Sequence, residues 1–380
     1  MKIDFLINFL PNPRIMRRIS LAKEFGEINL ICWDRGSNMQ NTPDIGGVET
    51  TIIEKKTSKS EFFRAISFLS VKKASISKLK EIHPEIIHIQ GLDMLGAAIE
   101  YKKRFNNKVV LIYEVADLHK LIVDEQKKVT KKIIQYFVRN EEIRCCKEID
   151  LLIVTSEQYY SSHFSNFVPP EKYVYIPNIP DLSAFTYFSK EPHRSFTVGY
   201  LGVIRYKKQI RLLLEASKKT NIHLLFAGYE QNGNEIENEC KQLKDIEWVG
   251  RFSFFKQAAQ LYGRCDAIFS VYDADMQNCK VALPNKLYES IYCEIPIIVA
   301  KGTFLSDLVE EWGVGISVKH DSLDELTDAV FKLQDPAFYA RLISNCKRHK
   351  NDIDSSKYNR ILVEKIQLAI KNKKEDIKND

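Results

Sequence analysis

The chain has 380 residues, 44% of them hydrophobic and 28% charged, which fits two globular domains of about 100–200 residues each and excludes a largely disordered chain. Its net charge of +6 is too mild to mark a nucleic-acid binder. The surplus lies in the first half, where residues 1–190 hold 28 basic against 23 acidic side chains and the remainder 28 against 27, so an acidic partner or membrane surface is expected on that half.

In chain order, the opening MKIDFLINFLPNP carries Asp4 and no small-residue cleavage site, and reads as a first strand instead of a signal peptide. Short apolar runs follow: EINLICW, EIIHIQ, KVVLIYEV, DLLIVTS and YVYIP. Helical periodicity fills the intervals at 14–26, 61–82, 94–104, 125–147 and 157–166. Alternation of this kind builds a parallel sheet covered by helices on both faces. The turn-rich stretch from Pro177 to Pro192 reads as an interdomain linker. The rhythm restarts with FTVGYLGVI, NIHLLFAG, IEWVG, AIFSVYD, PIIVAKG and GISV, and a last helix is expected at 350–372 with a frayed, solvated tail. The expected architecture is α/β: two doubly wound, Rossmann-like domains, 1–185 and 191–345, facing each other across a cleft. The eight cysteines are scattered without a CxxC pair, which argues against a zinc module or disulfide framework and fits a reducing cytoplasm. No apolar run approaches the ~20 residues of a membrane span.

Four places could carry chemistry. Gly199-Tyr200-Leu201-Gly202 leaves a strand, and Arg205, Lys207 and Lys208 open the next helix. Glycines admit an anion close to the backbone, and a helix start offers free N–H groups, so Gly202 with Arg205 and Lys208 suits a diphosphate; the plainer reading is a tight turn with solvated lysines. Ala282 to Glu289 contains Pro284, which suits a first helical turn. Glu289 then shares a face with Asn285 and could accept from both hydroxyls of a ribose; an ordinary exposed glutamate is the alternative. Asp117 and His119 follow the strand VVLIY, at the end where open α/β sheets bind ligands. Asp273 and Asp275 could hold a metal, but loop solvation explains them better and no metal is expected.

These residues resemble glycosyltransferase family 4, retaining enzymes of the GT-B fold. The likeness runs through Pro11-Asn12-Pro13-Arg14-Ile15 with Arg18, Ile86 to Asp93, Gly202 with Arg205 and Lys208, Phe226-Ala227-Gly228, Trp248 to Phe252, Ala282 to Glu289, Pro296-Ile297-Ile298 and Gly313-Val314-Gly315. Two positions depart from the family pattern. Val281 stands where many relatives have a first glutamate, and Ala116 stands where they have a cleft histidine.

The resemblance implies a metal-independent transferase moving a sugar from a UDP- or GDP-linked donor to a glycan or lipid-linked glycan, in capsule, O-antigen or exopolysaccharide synthesis. It implies donor contacts at Gly202, Arg251, Phe252, Asn285, Leu287 and Glu289, leaving-group stabilisation by Arg205 and Lys208, and a surviving cleft side chain at Asp117 or His119. It also implies that the last helix crosses back to the first domain. The alternatives are a nucleotide-sugar 2-epimerase of the same architecture and a non-catalytic sugar-nucleotide-binding subunit. The expected location is the cytoplasm, with peripheral contact at the inner face of the membrane. In the stretch 61–82, Phe62, Phe63, Ile66, Leu69, Ile76 and Leu79 accompany Lys72, Lys73, Lys78 and Lys80. Such a helix either lies on an anionic bilayer or packs its apolar face on the sheet.

Overall fold

In the computed structural model the chain forms two compact units, one of Met1–Pro177 with Ser356–Asp380 and the other of Asn178–Ser355. The structure describes all residues except 37–44, 57–60, 125, 127, 193–194, 231–232 and 380; the side chains of 61–66, 120 and 376–379 also lie outside the description.

The first unit runs β1 (Lys2–Ile7), α1 (Pro13–Ala22), β2 (Glu27–Asp34), β3 (Glu49–Glu54), α2 (Glu61–Ile82), β4 (Ile86–Gln90), α3 (Leu92–Arg104), β5 (Val110–Val115), α4 (Lys120–Val123), α5 (Val129–Cys146), β6 (Leu151–Val154), α6 (Glu157–Ser162) and β7 (Tyr173–Tyr175). Its sheet has the order β3-β2-β1-β4-β5-β6-β7, and every pairing is parallel. Helices on both faces bury β4, β5 and β6 completely, which is why those strands read as unbroken apolar runs. The edge strand β3, ETTIIE, is half exposed and too polar for its run to stand out in the sequence. The start of α1 is fixed locally: Asn12 Oδ1 accepts from the Ile15 N–H at 3.1 Å, and Pro13 occupies the first helical position.

The second unit runs β8 (Thr197–Ile204), α7 (Lys207–Thr220), β9 (His223–Glu230), α8 (Glu235–Lys241), β10 (Ile246–Gly250), α9 (Phe254–Gly263), β11 (Ala267–Ser270), α10 (Gln277–Val281), α11 (Asn285–Tyr292), β12 (Ile297–Ala300), α12 (Phe304–Trp312), β13 (Gly315–Val318), α13 (Leu323–Leu333) and α14 (Pro336–Arg348). Its sheet has the order β10-β9-β8-β11-β12-β13, again parallel throughout. The stretch expected as a linker includes a docked turn, Leu182–Phe185. Phe185 is buried edge-on against Tyr262 at 5.2 Å and Phe254 at 5.7 Å.

The last helix, α15 (Ser355–Asn379), belongs with the first unit. Leu362 and Ala369 pack into the cluster formed by Ile3, Phe5, Ile86 and Ile112. A fully buried leucine contributes about 1.5–3 kcal/mol, enough to hold a terminal helix in place. The tail expected to fray continues this helix, and Lys373 reaches Asp150 at 3.9 Å.

Helix α2 uses its apolar residues for packing. Val71, Ile76 and Leu79 are buried, while Lys72 pairs with Glu100 at 2.9 Å, Lys78 with Glu81 at 3.1 Å, and Lys80 lies over the Phe105 ring. Leu69 is exposed; the side chains of Phe62, Phe63 and Ile66 are outside the described residues. Among the described residues, no helix is long and apolar enough to cross a membrane. All eight cysteines are buried thiols, and none is joined in a disulfide.

In each sheet the strand order reverses once, between β1 and β4 and between β8 and β11. Beyond the carboxyl ends of the strands at such a reversal, adjacent connections diverge to opposite faces and leave a crevice. Arg14 with Gln90 lies at the first of these places, and Gly202 with Lys286 at the second.

Candidate active site

In the second unit, β8 and β9 carry paired glycines shortly before their carboxyl ends. Gly202 faces Gly228 across the strands, with φ of +129° and +150°. A Cβ on Gly228 would lie 1.8 Å from the Gly202 carbonyl oxygen, so only glycine fits. Past the end of β8, Arg205 and Lys208 are exposed and have no carboxylate partner among the described residues. Lys207 between them is engaged, with Glu230 at 3.0 Å and Glu235 at 3.2 Å. Two free cations thus stand at the start of α7, where unpaired N–H groups already favour an anion.

A third cation joins them from α11. Lys286 donates to the Tyr272 hydroxyl at 3.2 Å and lies over the faces of Tyr200 at 5.1 Å and Tyr272 at 5.7 Å. Its amine stands 3.3 Å from where a Cβ on Gly202 would be. Burial works against its charge, but Tyr272, Tyr200 and Glu289 outweigh it and hold the ammonium above the usual lysine range. The ammonium has no carboxylate ion pair among the described residues. A half-buried cation in that condition is suited to an anionic ligand. Lys286 carries no strong motif signal beside Asn285 and Leu287; what marks it is its place in the first turn after Pro284.

Pro284 is the N-cap of α11, one residue before the helix proper. Asn285 Oδ1 accepts from the Asn178 amide at 3.0 Å. Leu287 is fully buried, so its side chain supports the helix from below and only its main chain is left for a ligand. Glu289 is also buried and accepts a short hydrogen bond from the Tyr262 hydroxyl. Burial raises its pKa, partly opposed by Tyr262 and Lys286. It is a fixed carboxylate, unlike the exposed helix glutamate that was the alternative. Arg251 stacks over the Tyr229 ring at 3.5 Å, and Phe252 beside it is half-buried, so this pair presents planar groups at the end of β10.

Asp273, Asp275 and His320 bring three ligand-type atoms within 4.8 Å of one another. His320 Nδ1 lies 3.4 Å from Asp273 and Nε2 3.7 Å from Asp275, and the Gln209 amide is 3.3 Å from Nδ1. His320 lies far along the chain from the two aspartates and reaches them only through the fold.

In the first unit the dominant feature is a buried charge cluster around Glu114. His88 Nε2 lies 2.7 Å from Glu114 Oε2, Arg18 Nε 3.4 Å from Oε1 and Arg14 Nε 3.6 Å from Oε1. Burial pushes the Glu114 pKa up, but Arg18, His88 and Arg14 together hold it well below the usual carboxylate range. Phe5 stacks on His88 at 4.7 Å, and Arg14 donates to Gln90 Oε1 at 3.2 Å. The signal was present in the sequence: single polar residues inside the runs IIHIQ and LIYEV, and arginines four apart on α1.

Asp117 and His119 stand apart from this cluster, and both are exposed. His119 Nδ1 accepts from the Leu121 N–H at 3.2 Å, which caps the first turn of α4. At Ala116, where the family pattern has a histidine, the carbonyl accepts from Thr155 Oγ1 at 3.0 Å and from the Tyr159 hydroxyl at 3.3 Å. Val281, where many relatives have a glutamate, is buried.

The profile of the glycosyl transferases group 1 family matches residues 186–349, which contain the Gly202, Lys286 and Glu289 constellation. The succinoglycan biosynthesis protein ExoL of Rhizobium meliloti is 24% identical over 369 residues, covering 91% of this chain and 88% of that protein. Sucrose-phosphate synthase from Thermosynechococcus elongatus superposes with a TM-score of 0.72 at 16% identity, over 97% of this chain and 98% of that one. Anabaena HepE, solved in complex with UDP, gives 0.72 at 15% identity over 97% and 100%. Residues 186–349 are a glycosyl transferases group 1 domain, and the chain is a glycosyltransferase of the GT-B fold.

Proposed function

We propose that this glycosyltransferase moves a sugar, with retention at the anomeric carbon, from a UDP-linked donor to a glycan or lipid-linked glycan during surface-polysaccharide synthesis. The observation that carries the reading is the ammonium of the half-buried Lys286 over Gly202, with Arg205 and Lys208 free at the adjacent helix start. Three cations at the end of one strand suit a diphosphate. UDP is favoured over GDP because Anabaena HepE has been solved with UDP and with UDP-glucose. The polysaccharide setting follows from the likeness to ExoL.

In this reading Glu289, fixed by Tyr262, accepts from the ribose hydroxyls. Arg251 and Phe252 flank the base, Asn285 and the main chain at Leu287 face the phosphates, and the acceptor is taken by the first unit. In the transfer, the bond from the anomeric carbon to the diphosphate oxygen breaks as the acceptor oxygen bonds the same face of that carbon. The acceptor proton passes to the departing diphosphate, so UDP leaves and no protein nucleophile is needed. Arg205, Lys208 and Lys286 stabilise the growing negative charge, the kind of preorganised electrostatics that is often the largest catalytic term. Asp117 and His119 are assigned to the acceptor side.

The test is incubation with UDP-glucose, UDP-galactose and GDP-mannose, each with and without a lipid-oligosaccharide extract. A glycosylated acceptor supports the reading. A converted sugar nucleotide would make the protein an epimerase, and binding without turnover would make it an activator. Thermal shift ranks the donors, since a ligand at 100 times its Kd adds about 2.7 kcal/mol of stability.

A further inference from the structure

Two tyrosine rings, Tyr200 and Tyr272, face the ammonium of Lys286, and a third, Tyr206, packs on Tyr272. Their hydroxyls are spent differently. The Tyr200 hydroxyl donates to the Val203 carbonyl at 2.8 Å, and the Tyr206 hydroxyl is engaged with Cys279 Sγ at 3.1 Å. The Tyr272 hydroxyl meets Lys286 Nζ at 3.2 Å. An ammonium carries three hydrogens and no lone pair, so Tyr272 is the acceptor in this bond and its own O–H is left over. Among the described residues that hydrogen meets no acceptor. A hydroxyl that accepts from a cation is polarised by it and donates the more strongly.

The position of Tyr272 says what takes that hydrogen. It lies two residues past β11, the strand beside β8 at the reversal of the second sheet. Lys286 Nζ links it to Gly202, standing 3.2 Å from the Tyr272 hydroxyl and 3.3 Å from where a Cβ on Gly202 would be. The ring is held in place: Tyr206, the residue before α7, packs on it with centroids 5.0 Å apart at 34°. Tyr206 stands between Arg205 and Lys207 in the chain, so this stack ties Tyr272 to the helix start that presents Arg205 and Lys208. A neutral acceptor would satisfy the leftover hydrogen but not the neighbouring ammonium. A phosphate oxygen satisfies both.

We infer that Tyr272 is a binding residue for the donor's diphosphate, giving its O–H to a phosphate oxygen while its lone pair holds Lys286, and that Tyr206 is the positioning residue that fixes the Tyr272 ring. This assignment rests on the donor reading above and adds an uncharged hydrogen-bond donor to its three cations. No proton is transferred by Tyr272. Its hydrogen bond strengthens as negative charge grows on the departing diphosphate, and the hydroxyl keeps its hydrogen throughout.

The experiment is calorimetric titration of the full chain with UDP and with uridine, which keeps the base and ribose and lacks both phosphates. Tyr272→Phe removes one oxygen and keeps the ring. It should weaken UDP binding about tenfold and leave uridine binding at the parent value. Tyr206→Leu, which removes the ring behind Tyr272, should weaken UDP binding about threefold and again spare uridine, while Tyr206→Phe should restore the parent affinity. Uridine binding also reports an intact fold in each variant. Parent affinity for UDP in Tyr272→Phe, or equal losses towards UDP and uridine, would overturn the inference. If Lys286→Met weakens UDP binding while Tyr272→Phe does not, the role of Tyr272 falls and the donor reading stands. If neither variant changes UDP affinity, the donor reading falls with it.

Discussion

The ammonium of Lys286 occupies the space that a side chain at position 202 would take, 3.3 Å from where a Cβ on Gly202 would lie. A glycine near the end of β8 and a lysine in the first turn of α11 therefore define one anion-sized feature, although neither is informative alone. Lys286→Met keeps the length and removes the charge. Donor affinity should fall about tenfold or more, equivalent to about 1.4 kcal/mol, while the cooperative fold is kept and stability falls modestly, because the folded state favours the ammonium through Tyr272, Tyr200 and Glu289. Calorimetric titration with UDP and UDP-glucose checks this, and an unchanged Kd would exclude Lys286 from the diphosphate contact.

Glu289 has two roles that separate variants can divide. Glu289→Ala removes the ribose acceptor and also leaves the buried Tyr262 hydroxyl without its partner. An orphaned buried donor costs about 1–3 kcal/mol, so this variant should lose both affinity and stability. Tyr262→Phe should lose stability with a smaller loss of affinity. Denaturant unfolding combined with UDP titration of both variants tests the division, and equal losses of affinity would assign Glu289 to the fold alone.

Turnover should persist in EDTA. Lys286, Arg205 and Lys208 supply the positive charge that a divalent ion otherwise brings to a leaving diphosphate. If chelation abolishes turnover and manganese restores it, Asp273, Asp275 and His320 become the first ligands to substitute.

Acid stability should depend on Glu114. Its folded pKa lies below the ordinary 4.5, so the folded state holds its proton less readily than the unfolded chain. The stabilisation from this group is complete above that ordinary value and drains away as pH falls below it, through the folded pKa. Unfolding free energy measured from pH 6 down to pH 3 should decline, and Glu114→Gln should flatten the decline. At pH 7, Glu114→Ala should cost about 3–5 kcal/mol, because it strands Arg18 and Arg14 without their counter-charge. A parallel decline in parent and Glu114→Gln would place the acid sensitivity elsewhere.

The sequence by itself determined the alternation of strand and helix, the two parallel sheets and the helix start at Pro284, because each follows from the periodicity or cap chemistry of a short window. It also determined the stretch holding Gly202, Arg205 and Lys208, since glycines and cations at a strand–helix junction are local features. Only the tertiary structure decided that Lys286 lies over Gly202, that Glu289 is held by Tyr262 and that His119 is taken up in capping α4. The cluster around Glu114 is of the same kind: Arg18 and Glu114 are 96 residues apart and meet because parallel pairing brings the ends of β1, β4 and β5 together. The two apolar helices make the point in reverse. Helix α2 and helix α5 both combine apolar residues with lysines, and periodicity reports how wide an apolar stripe is, not which way it faces. The packing of Val71, Ile76 and Leu79 turned one stripe inward, while the hydrogen bonds of Gln135 and Arg139 to the Asp124 and Ile122 carbonyls turned the other out.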